Sequence, residues 1–149
     1  MTLSKKIIVA IDGSPQSDKA AEEAIRLAGK SGTKVKSQVF AVLVLPSSKT
    51  PSFTDFFPSK PPTELPDWQL KRDRLFFVVE KAAAEAEIPV ESLVVYGDPA
   101  EELIHIARER NCDVIVIGSS GMGRMKRTLL GSVSTKVALH AECSVYIVR

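Results

Sequence analysis

Five short apolar runs, separated by segments with helical spacing, constrain the fold of this chain most strongly. They lie at residues 7–11, 39–45, 93–96, 114–117 and 145–148, and Val90 precedes the third. Continuous runs of this length are typical of strands that helices cover on both faces. The alternation of strands and helices therefore predicts an α/β fold, a single-domain, open, mainly parallel five-stranded sheet with helices on both faces.

Helix start signals follow several of these runs. Ser14 precedes Pro15, and Asp98 precedes Pro99, so a capping side chain stands directly before a proline at the first helical position. With apolar residues at three- and four-residue spacing, these signals predict helices over about 15–29, 68–87, 99–110 and 132–140. The buried faces predicted for the second and third helices consist of Leu75, Val78, Val79, Ala82, Ala86, Ala100, Leu103, Ile104 and Ala107.

Length and composition favour one domain over residues 1–149. The 149 residues are 44% hydrophobic and 26% charged, close to the average for globular proteins. A proline-rich segment at about 46–67 differs from the rest, and its length predicts a mobile lid or an interaction segment. Its aromatic residues either pack onto the body or contact a partner; they are Phe53, Phe56, Phe57 and, just beyond it, Trp68.

Charge and hydropathy exclude several classes of partner. The net charge of +2 comes from 20 basic and 18 acidic residues spread along the chain, so no basic footprint for nucleic acid is visible. No apolar run approaches the roughly 20 residues of a membrane span, and the first residues do not read as a signal peptide. We therefore expect a cytoplasmic protein with neither a membrane nor a nucleic-acid partner.

The cysteines and histidines offer no metal or redox motif. Cys112 and Cys143 lack paired spacing, so we expect small buried thiols without chemistry. His105 and His140 fall within predicted helices and have no metal-ligand spacing, so we expect surface or packed histidines. The sequence thus predicts no catalytic residue and no metal site.

A glycine-rich turn near the C-terminus carries the strongest functional signal. Gly118 and Gly121 bound a short turn after the fourth run, and Gly131-Ser132 opens the last helix. Glycines let main-chain amides approach an anion, and a helix N-terminus adds oriented donors, so the arrangement suits phosphate. Ser132 and Ser134 offer hydroxyl donors. Asp12 also follows a strand, which puts it on the same edge of the sheet as Gly118.

Simpler interpretations of these residues stay open. Asp12 is also suited to cap the first helix, and the glycines at 118 and 121 to form only a tight turn. Basic residues at 124, 126 and 127 either reach a terminal phosphate or lie in a solvated loop. The spacing does not match the common P-loop, because Arg124 and Met125 follow Gly123, nor the dinucleotide fingerprint, because position 126 is Lys.

Four motifs together resemble the universal stress protein family. They are V-A-I-D-G-S at 9–14, Y-G-D-P-A-E-E-L-I at 96–104, C-D-V-I-V-I-G at 112–118 and the spacing G-x2-G-x9-G-[ST] at 118–132. The resemblance covers nearly the whole chain apart from the proline-rich segment, and the glycine spacing is typical of the ATP-binding branch. It implies a Rossmann-like fold of the adenine nucleotide alpha hydrolase type.

The same resemblance implies roles for individual residues. Ala10, where relatives often have proline, and Asp12 would lie near adenine and ribose, and a strand-two aliphatic, Val42 or Val44, would touch adenine. Ile117 and Gly118 would flank the nucleoside. The residues expected to contact ribose and phosphates are Gly121, Gly131, Ser132, Val133 and Ser134.

As a function, the resemblance implies a nucleotide-responsive regulatory or signalling protein of the stress response that binds ATP with Mg²⁺ or Mn²⁺ and forms a homodimer through its C-terminal strand. No Ser/His/Asp set or dedicated base is evident, so we expect weak ATPase activity at most. One alternative is a slow metal-dependent ATP hydrolase or nucleotidyl-transfer enzyme on the same fold. Another is a structural dimerisation module whose glycine turn binds nothing.

Overall fold

The computed structural model describes residues 3–29, 35–46, 67–120 and 130–149. Most of the proline-rich segment lies outside these ranges. So do Gly121 and the basic residues Arg124, Lys126 and Arg127.

Strands and helices alternate along the described chain, as the sequence predicts. Each strand begins at or a few residues before its apolar run, and the first and third helices begin at a proline. The elements are β1 (Leu3–Ile11), α1 (Pro15–Gly29), β2 (Val35–Leu45), α2 (Trp68–Ala86), β3 (Val90–Tyr96), α3 (Pro99–Glu109), β4 (Val114–Gly118), α4 (Ser132–His140) and β5 (Ser144–Val148).

The five strands form one sheet in the order β3-β2-β1-β4-β5, and all neighbouring pairs are parallel. Ala10 of β1 pairs with Val42 of β2, and Val9 pairs with Val116 of β4. From β1 the chain adds β2 and β3 on one side of the sheet. It then crosses to the other side of β1 and adds β4 and β5 there. Crevices form at such a reversal of strand order, beyond the carboxyl ends of the strands.

Helices cover both faces of the sheet and bury a separate apolar cluster on each. One cluster joins α1 and α2 to the sheet and includes Phe76, which is fully buried. The other joins α3 and α4 to the opposite face and includes Leu103 and Val137. The predicted fold class, a parallel five-stranded sheet with helices on both faces, is confirmed.

Side-chain caps fix where the helices begin. The Ser14 hydroxyl oxygen accepts a hydrogen bond from the Ser17 amide at 3.1 Å, and the Asp98 carboxylate accepts one from the Glu101 amide at 3.0 Å. Each cap satisfies a main-chain donor that the first turn leaves without an acceptor. Asn111 has a left-handed φ of 54° just after α3, a conformation that ends a helix and that asparagine adopts more readily than most residues.

Two predicted helix faces are partly wrong. In α2 the structure buries Phe76, Val79 and Ala83 and leaves Ala86 exposed. In α3 it buries Ile106 and leaves Ile104 half-buried. A short amphipathic pattern fixes the spacing of a buried face better than its centre, because alanines and aliphatic residues stand at both edges of the stripe.

The cysteines and histidines lie close to where the sequence places them, except that one of the two thiols is not fully buried. Cys112 is buried and Cys143 half-buried, and both are free thiols. Burial raises the pKa of the Cys112 thiol to about 11. His105 and His140 are exposed, and His105 Nε2 lies 3.2 Å from a carboxylate oxygen of Glu109.

Within the described ranges, no helix is both long and apolar enough to cross a membrane.

Candidate functional site

A cavity of about 300 Å³ opens at the carboxyl ends of β1 and β4, where the strand order reverses. Its walls come from three strands and from the first turns of α1, α3 and α4. The described lining consists of Ala10, Ile11, Asp12, Ser14, Ser17, Val42, Val44, Pro99, Leu103, Ile117, Gly118, Ser120, Gly131, Ser132, Val133 and Ser134. The volume is in the range of small-molecule sites.

Aliphatic side chains form a large part of the cavity lining. Val42 and Val44 both contribute from β2, so the structure places both of the strand-two candidates at the site. Ile117 contributes from β4, with β1 between it and β2, and Leu103 and Val133 contribute from α3 and α4. A flat apolar ring fits a wall of this kind, because apolar area removed from water drives binding there.

Asp12 stands at the rim on the α1 side, and its carboxylate is oriented by main-chain contacts. Its Oδ1 accepts a hydrogen bond from the Ser14 amide at 2.8 Å, and its own amide donates to the Ser17 hydroxyl at 3.0 Å. Ser14, not Asp12, caps α1. The capping alternative for Asp12 is therefore wrong, and its carboxylate is exposed at the cavity.

Packing alone requires glycine at position 118. A Cβ there would lie 2.8 Å from Gln16 Cβ and 3.0 Å from the Gln16 main-chain carbonyl carbon. Ordinary carbon–carbon contacts are about 3.5–4.0 Å. Gly118 therefore lets the start of α1 approach the end of β4, which sets the width of the cavity between them.

The start of α4 turns main-chain donors toward the cavity. Gly131 is the N-cap of α4 and has no side chain to bond the first amides, which also lack acceptors within the helix. The Gly131 amide donates to the Ser119 carbonyl at 2.6 Å. The amides of Ser132, Val133 and Ser134 thus form the kind of helix N-terminus that binds anions.

The two serines of this turn differ. Ser134 is buried, and the main-chain carbonyls of Ser119 at 3.1 Å and Gly131 at 3.0 Å share the single hydrogen of its hydroxyl. Ser132 is exposed and forms no side-chain hydrogen bond with another described residue. The sequence prediction treated both as hydroxyl donors to phosphate, whereas in the structure Ser134 already donates to the protein.

The chain matches the family model of the universal stress protein family over residues 4–149. The chain belongs to this family. It is 31% identical to the universal stress protein YxiE of Bacillus subtilis over 97% of this chain and 98% of that protein. Its structure resembles that of universal stress protein UspA from Lactobacillus plantarum, with a TM-score of 0.76, 23% identity and full coverage of both chains.

Two other solved members of the universal stress protein family hold nucleotides. One is in complex with cAMP, and this chain matches it with a TM-score of 0.71 and 24% identity over 97% of both chains. The other, from Arabidopsis thaliana, has AMP bound, with a TM-score of 0.64 and 22% identity over 97% of this chain and 90% of that one. At these identities the likeness shows the shared fold.

The structure brings almost all of the predicted site residues of this family member to one cavity. Gly121 lies outside the described residues, and the others line the wall, namely Ala10, Asp12, Val42, Ile117, Gly118, Gly131, Ser132, Val133 and Ser134. Their contacts with a nucleotide stay predictions.

Sequence reasoning missed part of the lining. Ser17, Pro99, Leu103 and Ser120 line the cavity, although the sequence assigned Pro99 and Leu103 only to a helix start and its buried stripe. The order of the elements could have indicated this part of the wall. Because α3 follows β3, its first turn lies at the same edge of the sheet as the first turns of α1 and α4. The first turn of any helix that follows a strand at this edge was therefore a candidate for the cavity wall.

Charge is distributed unevenly around the cavity. Partial burial raises the pKa of Asp18, in the first turn of α1, and the nearby carboxylates Glu22 and Asp12 raise it further. The carboxyl groups of Asp12 and Asp18 thus both lie on the α1 side, whereas the start of α4 presents main-chain donors. Outside the lining, Lys136 of α4 joins the start of α3, with Nζ 3.2 Å from Asp98 Oδ2 and 3.1 Å from Glu101 Oε1.

Proposed function

We propose that this universal stress protein binds an adenine nucleotide, ATP in particular, in the cavity beyond β1 and β4. The observation that supports this most is the chemical division of the lining into aliphatic side chains, among them Val42 and Ile117, and the donor amides at the start of α4. A nucleotide has the same division, since its base is apolar and flat and its phosphates are anionic acceptors. Relatives solved with cAMP and AMP support the same ligand class.

The charges favour one orientation of the nucleotide. Phosphates would be repelled by Asp12 and Asp18 on the α1 side and attracted by the α4 N-terminus. The adenine then lies against Val42, Val44 and Ile117, and Asp12 accepts hydrogen bonds from ribose hydroxyls. In this pose Gly131, Ser132 and Val133 face the phosphates.

ATP would enter with Mg²⁺ or Mn²⁺. Mg²⁺ in nucleotide sites is usually held by phosphates, water and one or two carboxylates, so a dedicated cluster of acidic side chains is not required. In the described lining the one carboxylate is Asp12, and groups of three or more potential metal ligands are absent from the described residues. The donor set therefore fits a cation carried in by the nucleotide, which would screen the phosphate charge.

Binding without rapid turnover is the activity that this lining favours. General-base activation of water needs a side chain positioned on the attacking water, and Asp12 is the one described candidate, already oriented by the Ser14 amide. We propose a nucleotide-responsive regulatory protein, in which the bound state changes the surface offered to a partner. The alternative, slow metal-dependent ATP hydrolysis, would depend on Asp12.

We also propose a homodimer through β5. This strand lies at the edge of the sheet, and an exposed parallel edge presents main-chain groups suited to pairing with a second chain. Sedimentation equilibrium tests this, because the expected mass is twice 16.2 kDa. A monomeric mass at concentrations well above micromolar would contradict it. A cytoplasmic location stays a prediction from the sequence.

Calorimetric titration with ATP and with AMP tests the binding proposal. Replacing Asp12 with Ala removes a charged acceptor for ribose hydroxyls, and we expect affinity to fall by about 10- to 100-fold, the loss typical of a hydrogen bond to a charged group. Asp73→Ala is the matched control, because Asp73 is an exposed carboxylate of α2 that pairs with Arg72, away from the cavity. Equal affinity of the two variants would contradict the proposed role of Asp12.

The same titration separates the alternatives. Binding with metal-dependent phosphate release that Asp12→Ala abolishes would favour the enzyme. If the wild-type protein binds no adenine nucleotide, the structural dimerisation module becomes the better interpretation.

A further inference from the structure

We propose that Ser134 is a positioning residue whose side chain fixes the start of α4 against the turn after β4, and that its hydroxyl does not itself bind the nucleotide phosphate. This inference rests on the proposed nucleotide function and assigns Ser134 a role different from direct contact. The contacts that support it join Ser119, Gly131 and Ser134, and we call them the Ser119 junction.

The Ser119 carbonyl is the centre of this junction. It accepts a hydrogen bond from the Gly131 amide at 2.6 Å and shares the hydrogen of the Ser134 hydroxyl, 3.1 Å away, with the Gly131 carbonyl at 3.0 Å. Ser119 and Ser134 are 9% and 2% exposed, so water competes little for these bonds. The junction therefore joins residue 119 to residues 131 and 134, across the part of the chain between them.

Packing at Gly131 shows how close this contact is. A Cβ on Gly131 would lie 3.3 Å from the Ser119 carbonyl oxygen and 3.4 Å from Ser120 Cα. The first distance is tighter than most contacts of a Cβ, and the second is at the short limit of ordinary contact. Glycine at position 131 thus allows the Ser119 carbonyl to approach. The Ser134 hydroxyl bonds to the same carbonyl.

The proton of the Ser134 hydroxyl decides between positioning and phosphate binding. A serine hydroxyl has one hydrogen to donate, and the acceptors of Ser134 are the main-chain carbonyls of Ser119 and Gly131. Phosphate oxygens accept hydrogen bonds at neutral pH and cannot donate to the remaining lone pairs of the hydroxyl. Direct contact with phosphate would require Ser134 to release a buried carbonyl.

Ser132 provides the contrast within the same turn. It lines the cavity and is exposed, and its hydroxyl is not bonded to another residue in the described part of the chain. Its hydrogen is available to a phosphate. We therefore assign phosphate contact to Ser132, and to Ser134 the preorganisation of the amides at the start of α4, which lowers the cost of ordering them when the ligand binds.

The test combines AMP calorimetry with amide hydrogen exchange of the ligand-free protein. For Ser134→Ala we expect about tenfold weaker AMP binding, the loss typical of one hydrogen bond, together with faster exchange of the Gly131 amide before any ligand is added. Ser134→Thr keeps the hydroxyl and should restore both quantities. Ser132→Ala should weaken AMP binding without changing exchange at Gly131.

Each outcome is decisive. Weaker binding by Ser134→Ala with unchanged exchange would indicate direct contact and overturn the inference, as would unchanged AMP affinity or a failure of Ser134→Thr to restore exchange. If the wild-type protein binds neither AMP nor ATP, the proposed function fails and the ligand-positioning role fails with it. Exchange at Gly131 then still reports whether the junction itself depends on Ser134, so the two failures are distinguishable.

Discussion

Replacing Gly118 with alanine tests whether this glycine is required by the fold itself. The new Cβ would lie 2.8 Å from Gln16 Cβ and 3.0 Å from the Gln16 carbonyl carbon, about 0.7 Å inside the usual carbon–carbon contact. Main-chain atoms are among those contacted, so the start of α1 must move away from β4. Overpacking of this kind costs about 1–3 kcal/mol.

Urea denaturation and thermal unfolding measure that cost. For a chain of this length each kcal/mol lowers the Tm by roughly 2–4 °C, so we expect a decrease of about 2–12 °C for Gly118→Ala. Gly29→Ala is the matched control, because a Cβ at this last residue of α1 meets no described atom within 4 Å. Helix propensity there favours alanine by up to about 1 kcal/mol. If Gly118→Ala is as stable as Gly29→Ala, the packing argument is refuted.

Three further predictions concern individual side chains. Ser14→Ala removes the acceptor for the Ser17 amide and should lower the free energy of unfolding by about 1 kcal/mol in urea denaturation. Ser132→Ala, at an exposed position, should change the free energy of unfolding by less than about 0.5 kcal/mol. Equal effects of the two substitutions would contradict the role of Ser14 as a helix cap. The Glu101 amide and, more weakly, Lys136 lower the pKa of Asp98, so the stability that its carboxylate adds is present above its ordinary pKa of 3.8 and is lost as pH falls through the lower folded value. Thermal melts across acidic pH should therefore show a shallower loss for Asp98→Asn, and parallel curves would count against this assignment. Because burial raises the pKa of Cys112 to about 11, its thiolate fraction near neutral pH is about 300-fold below that of a free cysteine, so iodoacetamide should modify Cys112 only after denaturation; rapid labelling of the native protein would refute this.

The sequence predicted the framework of the fold because its signals are local. Apolar runs with turn residues after them mark strands in a parallel sheet, and Ser14-Pro15 and Asp98-Pro99 mark helix starts through contacts within one turn. These signals do not depend on distant residues. The centres of the α2 and α3 buried faces do, which is why Phe76 and Ile106 were not predicted as buried.

The candidate site was predictable where a motif marks it and not where only tertiary contacts do. Gly118 and Gly131 stand out by spacing, but the reason for glycine at 118 is the approach of Gln16, which no local pattern reveals. Likewise, the bond from the Ser134 hydroxyl to the Ser119 carbonyl joins residues 15 apart. Sequence alone therefore placed Ser132 and Ser134 in one class, and the structure separates them.

A crystal structure grown in saturating ATP tests the central claim most directly. We expect density for adenine between Val42 and Ile117 and for phosphates at the amides that begin α4. An empty cavity, or a nucleotide bound elsewhere on the protein, would contradict the account.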